Sequence, residues 1–273
     1  MPDDAVARDG TTCRHDQPAG LLDSAKVEHL GPNLHLAVLR KSVAAADLPP
    51  TAAGSGTWTG SPDRYPGGVP EVERIWEDAA CELHRVVVGP MDNNVYILRC
   101  RRTGDALLVD AANEHELLLD LCRRLGVRQV VETHGHWDHI QAVPAVRDAG
   151  YSVSVTAADA GMLPSYDELL EDDAVLEVGE LRVRTIATPG HTPGSMCFHV
   201  EGTSLLLTGD TLFPGGPGNT SFPGGDFPAI VRSIERRLFA RFDGSTLVLP
   251  GHGASTTIGS ESPHLQEWID RGW

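Results

Sequence analysis

Thr133-His134-Gly135-His136-Trp137-Asp138-His139 gathers three histidines and one aspartate within six residues, directly behind a stretch, 127–132, that reads as a β-strand. Imidazole nitrogen and carboxylate oxygen are good ligands for zinc and its first-row neighbours. In extended chain, residues two apart project to the same side, so His134 and His136 can grip one ion together. Asp138 and His139 then begin a turn and can face a second, adjacent ion, while Gly135 lets the backbone bend.

Outward from this stretch, three more residues of ligand type sit at strand ends. His191 lies in Thr188-Pro189-Gly190-His191-Thr192-Pro193-Gly194, between two predicted strands. Asp210 lies in Leu207-Thr208-Gly209-Asp210-Thr211, and His252 in Leu249-Pro250-Gly251-His252-Gly253, each straight after a strand. Glycine and proline flank all three, as expected of loops that carry functional side chains on a rigid scaffold. The other histidines, His15, His29, His35, His84, His115, His199 and His264, stand alone and read as structural or surface residues.

The rest of the chain supplies the scaffold. Segments 82–88, 94–100, 106–110, 152–156, 174–177, 181–187, 195–200, 204–208 and 246–249 read as strands. Segments 114–125, stopped by Gly126, 140–149, stopped by Gly150, and 227–239 read as helices. Strands interleaved with helices and hairpin-like pairs predict a layered α/β (α+β) domain over 81–273. Residues 1–80 form a loop-rich N-terminal extension with one candidate strand, 33–39, and a short helix, 71–80. Trp58 and Tyr65 read there as apolar anchors or part of a subunit contact. The acidic run 168–173 reads as a solvated turn, and Arg101-Arg102 and Arg236-Arg237 as surface charges. Trp137 is expected to pack beneath or beside its loop, with a substrate contact as the alternative, and Cys197 and His199 to be packing residues.

Composition narrows the function. The 273 residues carry 22 Lys and Arg against 38 Asp and Glu, a net charge of −16. Such a surface repels phosphate backbones and anionic lipid heads, and no basic patch offsets it, so the partner is a small-molecule substrate rather than nucleic acid or membrane. Self-association stays open. No apolar run reaches the ~18 residues a spanning helix needs, and the acidic N-terminus lacks the apolar core of a secretory signal. Five cysteines, with no Cys-x-x-Cys pair, fit a reducing compartment, so the expected location is the cytoplasm.

The ordered series His134, His136, Asp138, His139, His191, Asp210 and His252 resembles the metallo-β-lactamase superfamily, whose His-x-His-x-Asp-His hallmark stands here at 134–139. The resemblance covers roughly residues 82–260 and implies an αβ/βα sandwich with metals at one edge. It implies His134, His136 and His191 on one divalent ion, Asp138, His139 and His252 on a second, and Asp210 bridging; the ions would be zinc, iron or a mixed pair. On that resemblance Asp138 and Asp210 are the expected catalytic residues, offsetting the metal charge and orienting a metal-bound hydroxide for attack on a carbonyl. The loops at His191, Asp210 and His252 look like those of short glyoxalase II (hydroxyacylglutathione hydrolase) enzymes, which implies thioester hydrolysis. Two departures bear on the thiol carrier: 21 residues follow His252, too few for that family's glutathione-binding helical domain, and Gly215-Gly216-Pro217-Gly218-Asn219 replaces its usual Gly-Cys-Gly-Arg. The alternatives are a hydrolase of another ester, lactone or β-lactam, a mononuclear iron persulfide dioxygenase-like oxidoreductase on His134, His191 and Asp210, and a non-enzymatic binding protein. Thr211-Leu212-Phe213 argues against the acyl-homoserine lactonases, which place a tyrosine there.

Overall fold

A period of two governs the buried strands. In Asn93–Cys100, Val95 and Ile97 join one apolar cluster while Tyr96 and Leu98 join another, so the strand is covered on both faces. The computed structural model describes residues 71–272. The readings at 33–39, His15, His29, His35, Trp58 and Tyr65 fall outside them, as does the fifth cysteine, Cys13.

The first sheet has seven strands in sequential order: β1 (Val72–Glu77), β2 (Cys81–Val88), β3 (Asn93–Cys100), β4 (Ala106–Val109), β5 (Val127–Val131), β6 (Ser152–Thr156) and β7 (Glu168–Leu170). The second has six: β8 (Val175–Val178), β9 (Leu181–Ala187), β10 (Met196–Val200), β11 (Leu205–Gly209), β14 (Leu247–Pro250) and β15 (Thr256–Thr257), ordered β15-β14-β11-β10-β9-β8. A small ribbon, β12 (Leu212–Phe213) with β13 (Gly216–Pro217), lies between β11 and β14 in the chain. Helices α1 (His115–Leu125) and α2 (Val143–Asp148) cover the first sheet, burying Leu117, Leu118, Leu121, Val143 and Val146 against Val95, Ile97, Leu108, Val130 and Val153. Helix α3 (Phe227–Ser233), the π-helical turn that continues it (Ile234–Phe239), α4 (Ile258–Glu261) and α5 (Leu265–Arg271) follow. Ile230, Ile234, Leu238, Ile258 and Trp268 from these helices pack on Ile186, Cys197, Leu206 and Val248, on the outer face of the second sheet. Between the sheets lie Leu83, Leu98, Leu107 and Val131 from one side and Val183, Phe198, Leu205, Leu207 and Leu249 from the other. The result is a layered α/β domain, as the residue pattern predicts, in the αβ/βα sandwich that the family resemblance implies.

Local chemistry explains the boundaries. Helix α1 presents Leu117, Leu118, Leu121 and Cys122 along one face and ends at Gly126, whose φ of 79° is left-handed. A Cβ at Gly126 would stand 2.3 Å from the Gly104 carbonyl oxygen, so only glycine lets the chain turn into β5 there. The helix predicted at 140–149 is shorter, Val143–Asp148, and that at 227–239 changes to π-helical geometry at Ile234.

Two expectations are corrected. The segment 71–80 is no helix: Val72–Glu77 is the edge strand β1, antiparallel to β2. A bulge between Arg74 and Trp76 moves the side chains out of strict alternation, so Val72, Ile75 and Trp76 imitate the i, i+3, i+4 spacing of a helix. The run 168–173 is not wholly a turn, since Glu168–Leu170 is the edge strand β7, parallel to β6. Its charges keep an exposed edge from pairing with other chains. Arg101 and Arg237 do sit at the surface, paired with Glu77 and Asp172. Cys81, Cys100, Cys122 and Cys197 are buried free thiols. No helix among the described residues is long and apolar enough to cross a membrane.

Phe198, fully buried between the sheets, tests this packing. Phe198→Ala is expected to cost about 3–5 kcal/mol of unfolding free energy, measured by urea denaturation; a loss below about 1 kcal/mol would mean that the sheets do not close on this residue.

Candidate metal centre

Parallel strands decide where the loops meet. β4, β5 and β6 run in one direction, as do β11 and β14, so their carboxyl ends share an edge of the sandwich. Asp110 follows β4, the stretch 133–139 follows β5, Asp159 follows β6, His191 follows β9, Asp210 follows β11 and His252 follows β14.

All seven residues that the sequence singles out converge there. Donor atoms of His134, His136 and His191 lie within 4.8 Å of one another, as do those of Asp138, His139 and His252. A third group, His134, His139 and Asp210, joins the two. Asp210 stands between them: its Oδ1 is 3.6 Å from His139 Nε2, and its Oδ2 is 3.5 Å from His191 Nε2 and 3.6 Å from His252 Nε2.

Four of the five rings are aimed by the nitrogen that points away from the cluster. His191 Nδ1 donates to the Asn219 carbonyl at 2.6 Å and His252 Nδ1 to the Met91 carbonyl at 2.8 Å. His139 Nδ1 donates to Asp110 Oδ2 at 2.8 Å, and His134 Nδ1 to Thr133 Oγ1 at 2.9 Å, whose own proton goes to Asp110. In a neutral ring each tether fixes the tautomer and leaves Nε2 turned inward as the lone pair a cation would take. His136 instead turns Nδ1 toward His191 Nε2, 2.8 Å away. His134 Nε2 then faces His191 Nε2 at 3.2 Å, and His139 Nε2 faces His252 Nε2 at 3.2 Å. In neutral rings these are acceptors facing acceptors. Asp210 Oδ1 is also buried with no hydrogen-bond partner, which is costly unless something positive meets it. The donor set therefore fits divalent cations on the chemistry of its own atoms.

The charges agree. Burial, then the neighbouring His139, pushes the His134 ring well below the usual imidazole range, leaving it neutral. Burial works against charge on His139 too, but the Asp210 and Asp110 carboxylates outweigh it and hold that ring well above the usual range. Burial opposes ionisation of Asp138 and Asp210, yet His252 and His139 hold the two carboxyls low, so both stay ionised. The centre thus favours positive charge between its carboxylates.

Several supporting residues escaped the sequence reading. Asp110 accepts from Thr133 N (2.6 Å), Thr133 Oγ1 and His139, and its φ of 65° is left-handed, a strain of about 1–2 kcal/mol held by those bonds. Its signal was a polar residue ending the buried run of β4, as Asp210 follows β11. Asp159, fully buried, accepts from Gly135 N, Gly194 N and Thr192 Oγ1 and so staples the His134–His136 loop to the His191 loop. Asn93 donates to Asp138 Oδ2 at 3.0 Å, and Asn94 donates to the Pro250 and Gly253 carbonyls that bracket His252. Glu132, wholly buried, is pushed well above the usual carboxyl range by burial and then by Asp110. Gly251 must be glycine, because a Cβ there would sit 2.4 Å from Asp210 Oδ1.

The centre opens into a cavity of about 590 Å³, whose walls include Met91, Trp137, Met162, Phe213, Phe222 and Pro223. Trp137 does not pack under its loop as expected: it is 59% exposed and lines this cavity, because the turn closed by His139 N on the His136 carbonyl swings it outward. Cys197 and His199 are packing residues, bonded to Thr188 and to the Thr203 carbonyl. His84, His115 and His264 take no part in the cluster.

The sequence pattern of the metallo-β-lactamase superfamily matches residues 88–252. This chain belongs to that superfamily, whose fold binds divalent metals. Among its relatives, the hydroxyacylglutathione hydrolase GloC of Haemophilus influenzae is 30% identical over 180 residues, which cover 58% of this chain and 84% of that protein. The BLEG-1 B3 metallo-β-lactamase structure matches with a TM-score of 0.61 and 29% identity, covering 67% of this chain and 97% of that one. TTHA1623 in a di-iron-bound form matches with a TM-score of 0.58 and 28% identity, covering 65% and 96%.

Asp110→Ala removes two tethers at once. We expect metal retention to weaken by about 10- to 100-fold, read by competition with a chelating dye. Unchanged retention in a folded variant would show that the ring orientations do not depend on Asp110.

Proposed function

We propose that the protein hydrolyses thioesters at a dinuclear metal site, in the manner that the name hydroxyacylglutathione hydrolase describes for one of its relatives. The observation that carries this reading is two complete donor groups sharing Asp210 between them. His134, His136 and His191 would hold one ion, Asp138, His139 and His252 the other, with Asp210 bridging. Bound zinc or iron would make a water acidic enough to give hydroxide near pH 7 and would polarise a substrate carbonyl. The di-iron form of TTHA1623 supports two ions in this fold.

The chain's own residues account for the rest. Asp138 and Asp210, both ionised and both at the cavity, accept hydrogen bonds from the attacking water and orient it. The water oxygen bonds to the acyl carbon and the carbon–sulfur bond breaks; one water proton ends on the sulfur and the other is released to solvent, leaving a carboxylate and a thiol. A thiol has a pKa of about 8.5, so the sulfur leaves without a protein acid. Apart from the candidate metal ligands, the cavity lining contains no side chain that could protonate an amine leaving group: no Lys, Tyr or Cys lines it among the described residues. A thioester makes the least demand for such an acid, because its thiolate leaves unprotonated. The tethers on His139 and His252 and the Asn93 bond to Asp138 support two ions over a lone iron, which would leave those residues without a task. A cytoplasmic location belongs to the same reading and is supported by the four buried free thiols.

Released thiol, followed with a disulfide reagent, tests the reaction. Chelator-treated protein should lose thioester turnover and regain it on adding zinc or iron, and Asp210→Ala should release metal and lose activity. Turnover by the metal-free protein would contradict the reading. So would faster opening of a β-lactam or lactone, or oxygen uptake with a persulfide in place of hydrolysis.

A further inference from the structure

Four of the eight exposed large apolar side chains among the described residues line this cavity; Val87, Tyr166, Leu169 and Ile269 lie elsewhere. Among the described residues, the three most exposed are Trp137 (59%), Phe222 (54%) and Met91 (52%), and all three line it, as does Met162 at 40%. They arrive from four separate segments, and each is fastened to the metal centre. The Met91 carbonyl accepts from His252, and Trp137 lies between His136 and Asp138. Met162 packs on Gly135, where a Cβ would stand 2.7 Å from the methionine Cβ, and the Phe222 ring meets His136 edge-on at 5.5 Å between centroids. Exposed apolar surface gathered in this way marks a binding site.

Charge narrows the occupant further. No lysine or arginine lines the cavity among the described residues, and its ionised side chains outside the imidazoles are the carboxylates Asp138 and Asp210. Within this described lining, a carrier with free carboxylates, such as glutathione, would find no side-chain cation to pair with its anionic groups; Arg271 lines the adjoining hollow beyond Phe213 and Asn219.

Resting on the thioesterase reading, we propose that the substrate is a thioester with an apolar alkyl or aryl acyl group on an uncharged thiol, and that Trp137 and Phe222 are the specificity-determining residues that grip that acyl group. Both are preformed apolar walls that lose water only when such a group enters, so the preference grows with the apolar area of the substrate.

Four thioesters decide it: acetyl, hexanoyl and phenylacetyl N-acetylcysteamine, and hexanoyl glutathione. Each buried methylene is worth about fourfold in binding, so kcat/KM should rise at least about 30-fold from acetyl to hexanoyl on the neutral carrier. Hexanoyl glutathione should be the poorer hexanoyl substrate. Trp137→Ala and Phe222→Ala should lower kcat/KM for hexanoyl at least about tenfold more than for acetyl. A flat acyl series, or a preference for the glutathione carrier, would overturn the proposal.

Calorimetry with two unreactive thioethers, S-hexyl-N-acetylcysteamine and S-hexylglutathione, supplies a reading that needs no turnover. Tighter binding of the neutral thioether, lost in Trp137→Ala, supports the proposal even if no thioester is hydrolysed, in which case only the reaction assignment fails. Tighter binding of the glutathione thioether, or an affinity indifferent to Trp137, overturns it.

Discussion

The hydrogen bond from His139 Nδ1 to Asp110 is the constraint on which the centre depends. Asp110 also receives the backbone and hydroxyl of Thr133, and through that hydroxyl it fixes His134. One buried carboxylate at the end of β4 thus orients a ring from each of the two donor groups. The arrangement costs a left-handed backbone at Asp110 and a buried carboxyl on Glu132 pushed toward its neutral form. Native structures keep such local strain where the surroundings over-determine it. Here the surroundings are the carboxyl ends of three parallel strands.

The sandwich turns that local chemistry into a site. Each sheet sends loops from its strand ends to the same edge, and Asp159 ties two of those loops together through three hydrogen bonds to one carboxylate. The donor atoms are therefore held from both sheets, so the lone pairs are pre-aimed rather than gathered by a ligand. Around this stiff centre the cavity wall has the opposite character, apolar and open to water at Trp137, Phe222 and Met91. A polar, pre-oriented floor beneath an apolar mouth divides the labour between reaction and recognition.

Much of this was legible in the sequence because metal ligands are chemically conspicuous. Histidines and aspartates at glycine- and proline-flanked strand ends named all seven members of the cluster, and the strand and helix periodicities named a layered α/β domain, which the family resemblance sharpened to the sandwich. What escaped has physical reasons. Asp110 and Asp159 act through partners distant in sequence, and a lone aspartate after a strand looks like any loop residue. Strand β1 was hidden by its bulge, which spaces Val72, Ile75 and Trp76 like a helix. Trp137 was misplaced because burial is the default for tryptophan, whereas the turn at His139 leaves it no core to enter.

The central claim is that two ions, not one, sit on a shared Asp210. Elemental analysis of protein purified without added metal measures this directly as moles of metal per chain. The account predicts about two, as zinc, iron or one of each, falling together when Asp210 is replaced. About one iron per chain, with the side chains of Asp138, His139 and His252 left idle, would contradict it.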